Sequence, residues 1–138
     1  MAQLARAAAS DPEFRAVAHQ FSSMNAVEAW VRENYSYRDE NEEIVRTPQF
    51  MLADMGRSES GRVVQLEGDC DDVATLFAAF GKALGLYTRL TAIRYTADNP
   101  EFEHVFTEVY DGGKWRAFDA TVPAGTNLQW LESMTEDI

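Results

Sequence analysis

Residues 68–74 read Gly68-Asp69-Cys70-Asp71-Asp72-Val73-Ala74, and they hold the only cysteine of the chain where an apolar helical pattern begins. Val73, Leu76, Phe77, Phe80 and Leu84 recur at the spacing of one helix face, and Gly85 follows as a C-terminal cap. The pattern predicts a helix that starts at Cys70 with Asp69 as its N-cap. A thiol in a first helical turn faces unpaired backbone N–H groups and the positive end of the macrodipole, and both favour thiolate. Cys70 is therefore read as a nucleophile. Two considerations oppose this: a lone cysteine is commonly a small buried hydrophobe, and Asp69, Asp71 and Asp72 repel negative charge at sulfur. The acids also have helical work of their own, since Asp69 suits the cap while Asp71 and Asp72 complement the helix end. A divalent-metal cluster built from the same three acids is disfavoured, because first-turn side chains fan about 100° apart.

The chain has 138 residues, 46% of them hydrophobic and 12% aromatic, which suits a single domain spanning 1–138. Its net charge of -11 argues against nucleic acid or an anionic membrane as partner, since phosphate binding needs clustered Lys and Arg. The acidity hints at a neutral or basic target. One cysteine excludes an intramolecular disulfide and a multi-Cys zinc site. No secretion signal and no stretch of transmembrane length is visible, so the expected location is cytoplasmic, with a virion or a host-cell cytoplasm leaving the same sequence trace.

Upstream of the cysteine, Ser10-Asp11-Pro12-Glu13 starts a helix carrying Phe14, Val17, Ala18 and Phe21, with His19 in its middle and without a visible partner. A second helix starts at Asn25 and carries Val27, Trp30 and Val31, ending before Tyr35-Ser36-Tyr37. The charged run Arg38 to Arg46 is assigned to a loop. Its acids do not make a calcium loop, because Ile44 stands where the turn needs glycine and Phe50 where a bidentate Glu is needed. Thr47-Pro48 opens a short helix through Met55, and Gly56 to Gly61 form a loop that delivers Val63 to Leu66 to the cysteine.

Downstream the texture turns to strand. Tyr87–Thr96, Phe102–Tyr110 and Trp115–Val122 are rich in β-branched and aromatic residues, and Asp111-Gly112-Gly113-Lys114 makes a tight turn between the last two. The tail, 123–138, is expected to offer one docking turn and a frayed acidic end. The fold class is α+β, helices first and antiparallel sheet after. With Gly112-Gly113 as a two-residue turn, Tyr110 pairs with Trp115, His104 with Thr121, and Phe106 with Asp119. His104 and Asp119 then share a face as diagonal neighbours, about 7–8 Å apart in backbone position. A histidine held by a carboxylate is a general base in one tautomer, so Cys70, His104 and Asp119 read as nucleophile, base and orienter. Taken singly, His104 could be a structural histidine and Asp119 a strand-end cap.

Three blocks together resemble the transglutaminase-like superfamily of papain-fold cysteine enzymes: Gly68–Ala74, Glu103–Tyr110 and Trp115–Thr121. Trp30-Val31, Tyr35–Asp39 and Thr47–Leu52 look like the small bacterial and phage members, and the resemblance covers about 25–122. It implies a papain-like core with a central helix on an antiparallel sheet, and catalytic roles for Cys70, His104 and Asp119. It also implies an oxyanion hole using the Cys70 backbone N–H, with Gln65 as candidate second donor by analogy with papain-like enzymes. The implied chemistry is acyl transfer from a peptide or protein amide through a thioester, without cofactor or metal. The minimal length, without the flanking β-domains of calcium-dependent transglutaminases, favours peptidase or amidase hydrolysis over cross-linking. The alternative is a catalytically silent module, such as a phage particle or assembly component.

Overall fold

The computed structural model describes residues 1–37, 47–53 and 66–138, with the side chains of 50, 52 and 53 excepted. The loops assigned to 38–46 and 56–61, the acidic calcium-like run, Met55, Val63, Val64 and Gln65 all lie outside the described residues.

Chain order runs α1 (Ala2–Ser10), α2 (Pro12–Ala18), α3 (Met24–Asn34), β1 (Tyr35–Tyr37), α4 (Pro48–Ala53), β2 (Leu66–Gly68) and α5 (Cys70–Ala83). Strands β3 (Thr88–Arg94), β4 (His104–Asp111), β5 (Lys114–Phe118) and β6 (Glu132–Asp137) complete it. Helix α1 was not expected from the sequence. Alanine is the best helix former yet a faint hydrophobic signal, and Ala5, Ala8 and Ala9 bury their methyls in the core. Asp11 then separates two helices: its own N–H bonds back to Ala8, and its side chain accepts from Glu13 N at 3.0 Å. Pro12 opens α2, but His19 is the C-cap of that helix and not a mid-helix residue. Helix α3 begins one residue before the expected Asn25, because the Ser23 hydroxyl accepts from Ala26 N at 3.2 Å and supplies the cap.

Helix α5 starts at Cys70 and passes through Leu84 into Gly85, which has φ 76°, a left-handed value that glycine adopts without strain. It was expected to bury one stripe, but it is buried almost all round. Ala74, Thr75, Ala78, Ala79 and Gly81 fill the supposedly outer side, because other elements enclose it. Phe80 is the hub, with ring centroids of Phe14, Phe21 and Trp30 at 5.0, 5.6 and 6.4 Å. Phe14 and Phe80, both fully buried, each contribute about 1.5–3 kcal/mol by leaving water, while Phe21 and Trp30 are half-buried. On the opposite side α5 lies against the sheet, where the buried Thr107 Oγ1 of β4 donates to Ala74 O at 2.6 Å.

The main sheet is antiparallel in the order β5-β4-β3-β6, and β1 and β2 form a separate parallel pair. Gly112 and Gly113, at φ 61° and 85°, make the tight turn, and Tyr110↔Trp115 and Asp111↔Lys114 pair as expected. The ring centroids of Tyr110 and Trp115 lie 5.5 Å apart, edge to face. The ladder stops at Thr107↔Phe118, so β5 is shorter than the strand expected through Val122 and Asp119 stands just beyond it. The tail does not fray: β6 adds to β3 along Arg89–Arg94, although all six of its residues are exposed. Backbone pairing holds this edge strand, and its exposed charges discourage further pairing.

Candidate active site

Cys70 owes its place to the cap beneath it. Asp69 Oδ1 accepts from the amides of Asp71 (3.1 Å) and Asp72 (3.3 Å), and Asp72 Oδ2 accepts from Asp69 N (3.1 Å), a reciprocal capping box. Asp69 and Asp72 thus turn their carboxylates onto backbone amides. The cap leaves the Cys70 N–H outside its own bonds, at the helix end where a developing anion would be stabilised. Gly68 is needed for this packing: a Cβ there would sit 2.6 Å from Asp72 Cβ and 2.7 Å from its Oδ2.

His104 opens β4, and its Nε2 lies 2.6 Å from Asp119 Oδ2. The other carboxylate oxygen, Oδ1, accepts from Thr121 N (2.9 Å) and Thr121 Oγ1 (2.7 Å), so both oxygens of Asp119 are engaged. Burial alone would lower the His104 pKa, but its hydrogen bonds to Asp119 and to Cys70 and their charges outweigh that and raise it to about 9. Burial likewise pushes Asp119 upward, and the bonds from His104 and Thr121 overcome it, leaving the carboxyl below its ordinary range. With Nε2 committed to Asp119, Nδ1 is the nitrogen left for the sulfur. The thiol also reaches Asp71 Oδ1 at 3.8 Å, the outer edge of a sulfur hydrogen bond, so imidazole and carboxylate compete for one proton. Cys70, His104 and Asp119 are therefore brought together, whereas His19 lies elsewhere, at the end of α2.

Two residues at the site were not singled out in the sequence. Tyr35 donates its hydroxyl to Gly68 O at 2.6 Å, two residues before the cysteine. Burial, followed by the charges of Tyr37, Asp119, Asp69 and Cys70, pushes its phenol above the ordinary range and keeps it a donor. Arg32 donates from Nη2 to Asp119 O at 2.5 Å and from Nη1 to Val122 O at 2.8 Å. Each joins groups far apart in the chain, and each bonds a backbone carbonyl, which carries no side-chain signature. A further contact runs the other way along β4: His104 stacks on Phe106 (centroids 6.1 Å), which meets Trp130 (6.0 Å).

Among the described residues no helix is long and apolar enough to cross a membrane. No curated protein matches the chain significantly. A crystal structure from Cytophaga hutchinsonii, described provisionally as a cysteine protease, has a similar fold, with a TM-score of 0.59 at 20% identity over 91% of this chain. The present chain spans 50% of that protein's length. The family model of the transglutaminase-like superfamily matches residues 8–120, a span that takes in Cys70, His104 and Asp119 and begins upstream of the stretch where the motifs resemble it. The chain belongs to the transglutaminase-like superfamily.

Proposed function

We propose that this protein is a cysteine-dependent acyl-transfer enzyme that cleaves an amide bond through a thioester, with water as the favoured acceptor. One observation carries the reading: an imidazole bonded to a buried carboxylate on one nitrogen stands beside a thiol at a helix N-terminus. His104 Nδ1 takes the proton from Cys70 Sγ as sulfur attacks the carbonyl carbon. The resulting oxyanion faces the Cys70 N–H, at the positive end of α5. His104 then gives its proton to the departing nitrogen as the C–N bond breaks, leaving the acyl group on sulfur. Water, deprotonated by the same imidazole, attacks the thioester; the C–S bond breaks, a carboxylic acid leaves, and the thiol is restored. Asp119 holds the imidazole in one tautomer and stabilises its charged form.

The description of the Cytophaga protein as a cysteine protease supports hydrolysis over transfer to an amine. The test is a peptide and amide library incubated with wild type and Cys70→Ala, with products identified by mass. New carboxylic acids formed only by wild type support the reading, and amine-linked products would shift it to cross-linking. No turnover, together with a Cys70 that binds no acyl group, would leave the silent interaction module as the better description.

A further inference from the structure

Asp119 carries its carboxylate on a backbone that no ladder holds, since β5 ends at Phe118 and residues 119–122 belong to no regular element. The two bonds from Thr121 fix the carboxylate relative to its own local turn, but they do not fix that turn in space. Arg32 does. Its guanidinium reaches from α3 to the carbonyls of Asp119 and Val122, which bracket the turn, at 2.5 and 2.8 Å. Its Nε donates to Glu28 Oε1 at 3.1 Å, one helical turn back, and this aims the fork. The Arg32 side chain is 24% exposed, so the fork works largely out of water, where bonds from a charged donor are strongest. Three donors on one rigid plane fit two carbonyls and a carboxylate, which a lysine ammonium at the end of a flexible stem does not.

We propose that Arg32 is the positioning residue of the His104–Asp119 pair: it replaces the missing ladder rungs and holds the Asp119 carboxylate at bonding distance from Nε2. The proposal rests on the reading of Cys70, His104 and Asp119 given above. The same corner secures the other arm of the site, because Tyr35, three residues after Arg32, ties down Gly68 ahead of Cys70. Junction α3–β1 thus grips both the segment that carries the nucleophile and the segment that carries the acid.

The test reads the imidazole itself. The chain has two histidines, so His19→Gln assigns the signals, and NMR follows the His104 titration in wild type, Arg32→Ala and Arg32→Lys. The charged groups acting on His104 are Asp119 and Cys70, and they are unaltered in both variants. In Arg32→Ala the midpoint is expected to fall from about 9 by about one pH unit or more, as the carboxylate drifts from Nε2. Removing a nearby positive charge would by itself raise an imidazole midpoint, so a fall comes only from geometry. Arg32→Lys keeps the charge and should fall by a smaller amount; it carries the test if Arg32→Ala does not fold. A midpoint that stays or rises in a folded variant overturns the proposal, even if melting temperature drops, because that is what a purely structural role gives. The titration needs no substrate. Failure of the hydrolase reading would appear separately, as wild type without turnover.

Discussion

His104 Nε2 meets Asp119 Oδ2 at 2.6 Å although the two strands stop pairing one residue before Asp119. The hairpin register aims the pair at each other, and the contact is closed by side chains and by the turn at Thr121. The arrangement puts the base at the start of one strand and its orienter just past the end of the next. The base can then meet a thiol from the helix, and its orienter can hold it from behind, without breaking the ladder.

The two shifted groups give stability a pH signature. His104 is raised to about 9 from an ordinary 6.5, so its stabilising contribution is complete below pH 6.5 and is lost as pH rises through about 9. Asp119 is lowered from an ordinary 3.8, so its contribution is present above that value and is lost as pH falls through its folded-state pKa. The resistance of wild type to urea should fall from pH 6.5 to 9, and His104→Gln should flatten that limb. Parallel curves for the two proteins would contradict the ion-pair description.

Gly68→Ala should be disproportionately harmful for so small a change. The added methyl meets Asp72 at 2.6 Å, so the capping box or the β2–α5 junction must shift. Overpacking of this kind costs about 1–3 kcal/mol. Chemical denaturation measures it, and a loss within 0.5 kcal/mol, about what a neutral surface change gives, would show that the junction yields.

Thr107→Val tests how the sheet is tied to the cysteine helix. The hydroxyl is buried and its bond to Ala74 O joins β4 to α5 one turn after Cys70. The near-isosteric change should cost about 0.5–1.5 kcal/mol. It should also slow alkylation of Cys70, because the strand carrying His104 loses its anchor to the helix. Unchanged stability and unchanged alkylation together would contradict this coupling.

The parts of the fold visible in the sequence are those specified locally. The GDCDD stretch fixes a helix start, because the cap and first-turn acids lie within four residues, and Gly112-Gly113 fixes a register, because side-chain alternation has a strict period. Those two readings already place Cys70 on a helix tip and put His104 and Asp119 on one face. Elements held by backbone or by very small side chains are hidden in the sequence: α1 packs through alanine methyls, and β6 is an exposed polar edge held by its ladder to β3 and by Arg6 of α1 on the Asp137 carbonyl. Arg32 was invisible for a related reason. Its i,i+4 pairing with Glu28 is ordinary on a helix face, and its partners across the fold are the carbonyls of residues 119 and 122, which any sequence would supply.

The central claim is that His104, oriented by Asp119, activates Cys70, and its most direct test is the alkylation rate of Cys70 at neutral pH in wild type, His104→Ala and Asp119→Asn. Wild type should react faster than a free cysteine thiol, His104→Ala should lose roughly 10²-fold, and Asp119→Asn should fall between them. Equal rates in wild type and His104→Ala, no faster than the free thiol, would contradict it.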